Sequence, residues 1–282
     1  MNNQLYSDWE DAKDIVIYGY GKVARNMLSY FTNNFNVKYI VDGDIKKDNL
    51  IYEDVPVYHI DRVRDELKNY KIVIATAQRN ALSISKVLKE EGLVEYEDFC
   101  SVEKFISEWF WRFRNKICLM EVHTSITTKC TLKCKKCNMF MPYYKNPMDY
   151  SAEDIKKDLK VLFQNVDYVF SYRILGGEPL INRDLSEILQ FIGENYKNKI
   201  GDVGIITNGT ILPDNRLLEV SKKYDVKYYI SDYTNQVNYK DRLNTVVSKL
   251  HDSGIYYEIT QSFRWCDFGF PCYNVSLPNG GR

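Results

Sequence analysis

Residues 118–137 read CLMEVHTSITTKCTLKCKKC, a mixed apolar and polar segment followed by a loop with three cysteines. We predict a strand over residues 119–126. The loop after it carries Cys130, Cys134 and Cys137 at spacings of four and three residues. Such spacing lets three thiolates converge on one cluster, and a βα barrel places its chemistry in the loops that follow its strands. The three cysteines are therefore predicted metal ligands.

A structural zinc ion is the alternative for these cysteines. Structural zinc generally takes four ligands, whereas three protein ligands leave an open position for a cofactor or substrate. No fourth cysteine or histidine lies just downstream, and His123, seven residues before Cys130, is the nearest candidate for a Cys3His site. Lysines interleave the cysteines at positions 129, 133, 135 and 136. Their charge is expected to lower the thiol pKa and favour thiolates, unless they only form a solvated face of the loop.

The motif Gly176-Gly177-Glu178-Pro179 stands at the end of the next predicted strand. In this order, the cysteine triplet and the Gly-Gly-Glu-Pro motif resemble the two signatures of the radical S-adenosylmethionine (SAM) superfamily. The resemblance implies that the cysteines hold a 4Fe–4S cluster, that SAM chelates its unique iron, and that the Gly-Gly-Glu-Pro backbone binds the SAM amino group. Glycine permits close backbone approach, and Glu178 supplies negative charge to meet an ammonium group.

Two further strand ends fit the resemblance, which covers roughly residues 118–260. Thr207-Asn208-Gly209 closes the third predicted strand and is similar to the superfamily's Thr-Asn-Gly segment at the SAM site. Ser231 ends the fourth strand, where the resemblance places it near the SAM ribose or carboxylate. The shared position at strand ends supports a common binding site.

Adenine recognition is the point at which the chain departs from the superfamily. An aromatic residue often stands just before the third cysteine, whereas this chain has Lys136. We expect Phe140 or Tyr143 to take that role.

The resemblance implies an enzyme that receives one electron from a reductant such as flavodoxin or ferredoxin. SAM is then cleaved to a 5′-deoxyadenosyl radical, which abstracts hydrogen from a small-molecule substrate; the protein positions the reactants and excludes water. A sugar or nucleotide-linked sugar of surface polysaccharide synthesis is the substrate suggested by domain analogy. The alternative is a non-catalytic nucleotide-binding or redox-sensing iron–sulfur protein.

Alternating strand and helix patterns after residue 117 predict a partial (β/α)6 barrel over residues 118–282. Only five strands are clear, and the chain ends in a turn signal, so we expect the barrel to be truncated at its C-terminus. Cys266 and Cys272 flank a short loop near that end. By resemblance, such cysteines ligate an auxiliary iron–sulfur cluster in a longer protein; otherwise they are ordinary buried thiols.

Residues 1–100 show a second α/β pattern, which predicts half of a doubly wound parallel sheet. Gly19 and Gly21 lie between a strand and a helix, and Asp42 ends the second strand, as in the dinucleotide-binding fingerprint. The segment also resembles small Rossmann-like domains fused to enzymes that modify bacterial surface sugars. We therefore weigh NAD, a nucleotide or nucleotide-sugar, and no ligand. An aromatic-rich helix over residues 101–117 is predicted to connect the two domains.

Composition excludes some classes of partner. The 282 residues include 38 Lys plus Arg and 38 Asp plus Glu, so no net field attracts nucleic acid or an anionic membrane. No stretch approaches the roughly 18 apolar residues of a membrane-spanning helix. Seven cysteines, three of them bunched, indicate metal ligands in a reducing cytoplasm rather than disulfides.

Overall fold

A computed structural model describes residues 9–134 and 137–261. The chain divides into two compact units, Met1–Met120 and Glu121–Arg282. The elements of the first unit are β1 (Asp14–Tyr18), α1 (Lys22–Asn34), β2 (Asn36–Asp42), β3 (Ile51–Tyr52), β4 (Val55–His59), α2 (Ile60–Val63), β5 (Lys71–Ile74), α3 (Gln78–Glu90), β6 (Phe99–Ser101), α4 (Val102–Lys104) and α5 (Phe110–Arg114).

The sheet of the first unit has the order β3-β4-β2-β1-β5-β6. Its strands are parallel except for β3, which pairs antiparallel with β4. Central strand β1 is buried over four of its five residues, and its Val16 packs with Ile72 and Phe99 in one hydrophobic core. The predicted parallel α/β organisation is confirmed. Because β1 pairs with β2 on one side and β5 on the other, the strand order reverses at the end of β1.

Three short strands of this unit, β3, β4 and β6, were not predicted from the sequence. Strands β3 and β4 form a hairpin whose two-residue loop, Glu53-Asp54, has positive φ at both residues (48° and 65°). This geometry usually selects Asn-Gly or Asp-Gly, so Glu-Asp gave no turn signal. Strand β6 has three residues, too few for a periodicity to be visible.

The aromatic helix expected to connect the domains packs within the first unit. A π-helical turn, Phe105–Trp109, joins α4 to α5. Phe105 lies against the rings of Phe31 and Phe35, with centroids 5.7 and 5.4 Å apart. Its aromatic face therefore belongs to the core of this unit. No helix among the described residues is long and apolar enough to cross a membrane.

In the second unit, each strand lies beside the next one in the chain, in the order β11-β10-β9-β8-β7. The elements are β7 (Cys118–Ser125), α6 (Ala152–Asn165), β8 (Tyr168–Leu175), α7 (Leu185–Tyr196), β9 (Ile200–Thr207), α8 (Asn215–Lys223), β10 (Lys227–Asp232), α9 (Lys240–Asp252) and β11 (Tyr257–Gln261). Strands β8 to β11 are parallel. The five predicted strands are all present, with helices between them as expected. A sixth barrel strand is not among the described residues.

Local signals explain where these helices begin. Ser151 caps α6, since its hydroxyl accepts a hydrogen bond from the Asp154 amide at 3.2 Å. The Asp214 carboxylate accepts from the Leu217 amide at 2.7 Å and starts α8 in the same way. Since helices separate parallel neighbours, the loops after β8, β9 and β10 gather at one edge of the sheet.

Candidate active site

The three predicted metal ligands lie in the loop after β7, and all three are half-buried. Their thiols are close enough to interact electrostatically with one another. Burial raises the pKa of Cys130, and the neighbouring Glu178 and Cys137 add to this effect. Burial likewise raises the pKa of Cys134. At Cys130 and Cys134 the neutral thiol is therefore favoured over the thiolate.

The expected influence of the interleaving lysines is wrong for these two cysteines. Burial outweighs any lysine charge at Cys130 and Cys134, and Lys129 turns its ammonium to the Asp149 carboxylate at 2.7 Å. Lys135 and Lys136 lie outside the described residues.

Three cysteine thiols in one short loop are a donor set that fits a 4Fe–4S cluster, which takes one thiolate per iron. His123, the proposed fourth zinc ligand, lies 3.0 Å from Glu121 in this structure.

The Gly-Gly-Glu-Pro motif is hydrogen-bonded to the chain just before Cys130. The Gly177 amide donates to the Thr127 carbonyl at 3.0 Å, and the Glu178 amide donates to the Lys129 carbonyl at 2.8 Å. A Cβ atom on Gly177 would stand 2.0 Å from that Lys129 oxygen. This close contact explains why glycine is needed, and it fixes the motif beside the cysteine loop. Pro179 is buried and begins a short 3-10 turn.

Glu178 is fully buried and points toward β9. Its Oε1 accepts from the Thr207 hydroxyl at 2.7 Å and the Leu180 amide at 3.2 Å, and its Oε2 accepts from the Asn208 amide at 2.8 Å. Burial raises the pKa of Glu178 to about 7, although these three hydrogen bonds oppose the rise. The sequence analysis assigned the Glu178 carboxylate to an ammonium group. In the structure this carboxylate hydrogen-bonds residues at the end of β9 and so connects the motif after β8 to β9.

The side chain of Asn208 connects β9 to the cysteine loop. Its Nδ2 lies 3.7 Å from Cys130 Sγ and 3.1 Å from Thr131 Oγ1. Four sequence-predicted residues are thereby brought together around one short segment: Cys130, Glu178, Thr207 and Asn208. The hydrogen bond to sulfur was not foreseen, because no pattern in the sequence relates two residues 78 positions apart.

Ser231 of β10 lies at the same edge of the sheet and hydrogen-bonds the side chain of Tyr233. Tyr233 was missed by the sequence reasoning, although it directly follows β10 and interacts electrostatically with the three cysteines. Burial raises the pKa of Tyr233. Its place at a strand end is the signal that could have identified it.

The two aromatic candidates for the adenine follow Cys137. The Phe140 amide donates to the Cys137 carbonyl at 3.1 Å, and Phe140 has a left-handed φ of 57°. Tyr143 lies one turn later and is 47% exposed.

A charged network lies on the sheet below these loops. Arg173 of β8 contacts Asp202 of β9, with Nη2 and Oδ2 2.5 Å apart. Lys227 lies 2.9 Å from the other Asp202 oxygen, and the Tyr229 hydroxyl donates to Asp202 at 2.8 Å. Burial opposes ionisation of Asp202, but Arg173 and Lys227 bring its pKa below the ordinary value.

The same network reaches β7, where Glu121 lies 3.8 Å from Arg173. Glu121 and His123 are both about half exposed. Tyr228, adjacent to the network residue Tyr229, faces the other way and hydrogen-bonds Ser221 of α8. Because side chains alternate along a strand, the polar face of the sheet is the one opposite α8.

The predicted nucleotide-binding residues of the first unit form a compact loop. Gly19 has a φ of 108°, and a Cβ there would collide with Thr76, whereas Gly21 precedes α1 with open space around it. The Asp42 carboxylate accepts from the Tyr20 and Asp44 amides and from Lys47 at 2.7 to 2.9 Å. Although burial opposes ionisation, these contacts bring the pKa of Asp42 below its ordinary value.

Much of the hydrogen-bonding capacity of the Asp42 carboxylate is thus used within the protein.

Cys266 and Cys272, the candidate ligands of an auxiliary cluster, lie outside the described residues.

Residues 124–233 match the family model of the radical SAM superfamily. Over these residues the chain is similar to the domains of that superfamily. The matched region contains the three cysteines, the Gly-Gly-Glu-Pro motif, Asn208 and Ser231, and the superfamily is one of enzymes. It implies a 4Fe–4S cluster and SAM as cofactors.

Relatives of this part of the chain include a GTP 3′,8-cyclase from Campylobacter jejuni, 35% identical over 108 residues, or 36% of this chain and 31% of the cyclase. A probable GTP 3′,8-cyclase from Methanococcus maripaludis is 38% identical over 90 residues, or 31% of this chain and 28% of that protein. The chain spans about a third of the length of these relatives.

Among solved structures, SuiB from Streptococcus suis bound to S-adenosylmethionine aligns over 66% of this chain and 40% of its own. Identity is 20% and the TM-score is 0.42.

Proposed function

We propose that the chain is a radical SAM enzyme in which Cys130, Cys134 and Cys137 hold a 4Fe–4S cluster. The observation that carries this proposal is the contact of three elements: the cysteine loop, the Gly-Gly-Glu-Pro motif hydrogen-bonded to it, and Asn208 beside Cys130. When bound, the cluster and SAM supply the chemistry of the superfamily, reductive cleavage of SAM and hydrogen abstraction from a substrate. The electron comes from a small reductant such as flavodoxin or ferredoxin.

The protein's own part is to position SAM beside the cluster. We propose that the backbone of Gly176, Gly177 and Pro179 meets the SAM amino group. Glu178 has an indirect role: its carboxylate accepts hydrogen bonds from Thr207 and Asn208 and holds both residues in place. Ser231, near the end of β10, is assigned to the SAM ribose or carboxylate. Phe140 or Tyr143 takes the adenine.

The substrate is proposed to be a polar small molecule, with a sugar or nucleotide-linked sugar of surface polysaccharide synthesis as the first candidate. The polar face of the sheet supports this choice, since Glu121 and His123 are exposed enough to hydrogen-bond a ligand. Arg173 and Asp202 lie behind them and fix the face through their ion pair.

The first unit is proposed to be a Rossmann-like domain with the boundaries 1–100, followed by the helix at 101–117. Gly19, Gly21 and Asp42 would accept a nucleotide or nucleotide-sugar at the end of β1, where the strand order reverses. Residues 118–282 are proposed to be a partial (β/α)6 barrel, and Cys266 and Cys272 are proposed ligands of an auxiliary cluster.

Anaerobic reconstitution with iron and sulfide, followed by SAM and dithionite, tests the proposal. We expect iron and sulfide to bind and 5′-deoxyadenosine to form. Cys134→Ala is expected to abolish both results, whereas Cys100→Ala, a buried thiol of the first unit, serves as the matched control and retains them. A cluster without 5′-deoxyadenosine would favour the non-catalytic alternative, and zinc without iron would reject both.

A further inference from the structure

We propose that Asn208 is a positioning residue that donates a hydrogen bond to the Cys130 sulfur and thereby raises the reduction potential of the cluster. The inference rests on the proposed function, because it requires a cluster on Cys130. The distance between Asn208 Nδ2 and Cys130 Sγ, 3.7 Å, is within the range of hydrogen bonds to sulfur.

The orientation of the Asn208 amide is fixed by its other partners. Its Oδ1 accepts from the Thr210 amide at 3.0 Å and from the Thr210 hydroxyl at 2.6 Å. A backbone amide can only donate, so the oxygen of Asn208 must face Thr210 and the NH2 group must face Cys130. The second hydrogen of that NH2 group is directed at Thr131 Oγ1 at 3.1 Å.

Hydrogen bonds also fix the backbone of Asn208. Its amide donates to Glu178 Oε2 at 2.8 Å, and its carbonyl accepts from the Tyr239 hydroxyl at 3.0 Å. The Tyr239 oxygen in turn accepts from the Tyr233 amide at 2.9 Å. Asn208 is only 6% exposed, so water does not replace these partners. The residue thus presents a preorganised NH2 group to the cysteine loop.

A hydrogen-bond donor in this position stabilises the two redox states of a cluster to different extents. Reduction adds one electron and increases negative charge on the cluster and its sulfur ligands. A hydrogen bond to sulfur stabilises the more negative, reduced state more strongly, and such bonds are among the factors that set iron–sulfur potentials. Burial strengthens the effect because the local dielectric is low.

The test compares redox titrations of the reconstituted full chain, without SAM, for the wild type, Asn208→Ala and Asn208→Asp. The spectroscopic signal of the reduced cluster is normalised to bound iron. We expect Asn208→Ala to lower the midpoint potential, with a change of about tenfold in the ratio of reduced to oxidised cluster, or about 59 mV for one electron. Asn208→Asp keeps the shape but places an oxygen against the sulfur, so a larger decrease is expected.

Thr131→Val is the matched control, since it removes the other acceptor of the same NH2 group and leaves the contact with sulfur. Its potential is expected to equal that of the wild type. Equal potentials for all four proteins would overturn the inference, as would loss of the cluster from both Asn208 variants, which would indicate a role in folding. A wild type that binds no cluster would overturn the proposed function itself.

Discussion

The Thr207 hydroxyl donates a hydrogen bond of 2.7 Å to the buried carboxylate of Glu178. This contact joins the motif after β8 to the end of β9. Both partners are almost completely shielded from solvent. The loss of either one therefore leaves a polar group without a substitute from water.

Substitution of Thr207 by valine is expected to destabilise the protein by about 1–3 kcal/mol, since the change removes a donor to a buried acid and retains the shape of the side chain. The loss should be larger at pH 8, where Glu178 is ionised, than at pH 5. Urea denaturation at the two pH values measures the difference. Thr207→Ser restores the hydroxyl and should recover most of the stability; a serine variant as weak as the valine variant would show that packing, not the hydrogen bond, matters.

Glu178 also predicts how stability depends on pH. Its pKa is about 7 in the folded protein, against 4.5 as the ordinary value, so the folded state binds more protons between these limits. Stability should therefore fall as pH rises from about 4.5 to about 7, by up to about 3 kcal/mol from this group. The measurement is the difference in unfolding free energy between the cluster-free wild type and Glu178→Gln. A difference that does not vary with pH would contradict the prediction.

The two glycines Gly177 and Gly21 form a matched pair for a test of the motif. A Cβ at Gly177 would stand 2.0 Å from a backbone oxygen, whereas a Cβ at Gly21 meets nothing within 4 Å. We expect Gly177→Ala to displace the motif from the cysteine loop and to reduce bound iron several-fold after reconstitution. Gly21→Ala should retain full iron content. Equal iron in the two variants would mean that the loop does not depend on this close contact.

The ion pair between Arg173 and Asp202 is buried on both sides. Arg173→Met is expected to cost about 3–5 kcal/mol, because it leaves Asp202 buried with reduced compensation. Lys227→Met should cost less, since Lys227 is partly exposed and Arg173 still pairs with Asp202. Thermal unfolding of both variants tests this order. A larger loss of stability for Lys227→Met would mean that Lys227, and not Arg173, is the main partner that compensates the charge of Asp202.

The sequence predicted the second unit well because its signals are local. Helix caps such as Ser151 and the strand ends around Gly176 and Thr207 each depend on a few neighbouring residues. The predicted lowering of thiol pKa failed, because burial is a property of the folded chain. The contact of Asn208 with Cys130 could not be predicted for the same reason. In the first unit, the hairpin at Glu53-Asp54 used residues that rarely signal a turn.

The strand order of the second unit also has a consequence for biosynthesis. Each strand from β8 to β11 pairs with the one made just before it, so the sheet can grow in the order of translation by local docking steps. Cys130, Cys134 and Cys137 leave the ribosome before Asn208, which follows Cys130 by 78 residues. The loop therefore acquires its buried hydrogen-bond donor only after β9 has been added. Nascent chains shorter than this would present the same three thiols in a more open and more oxidisable form.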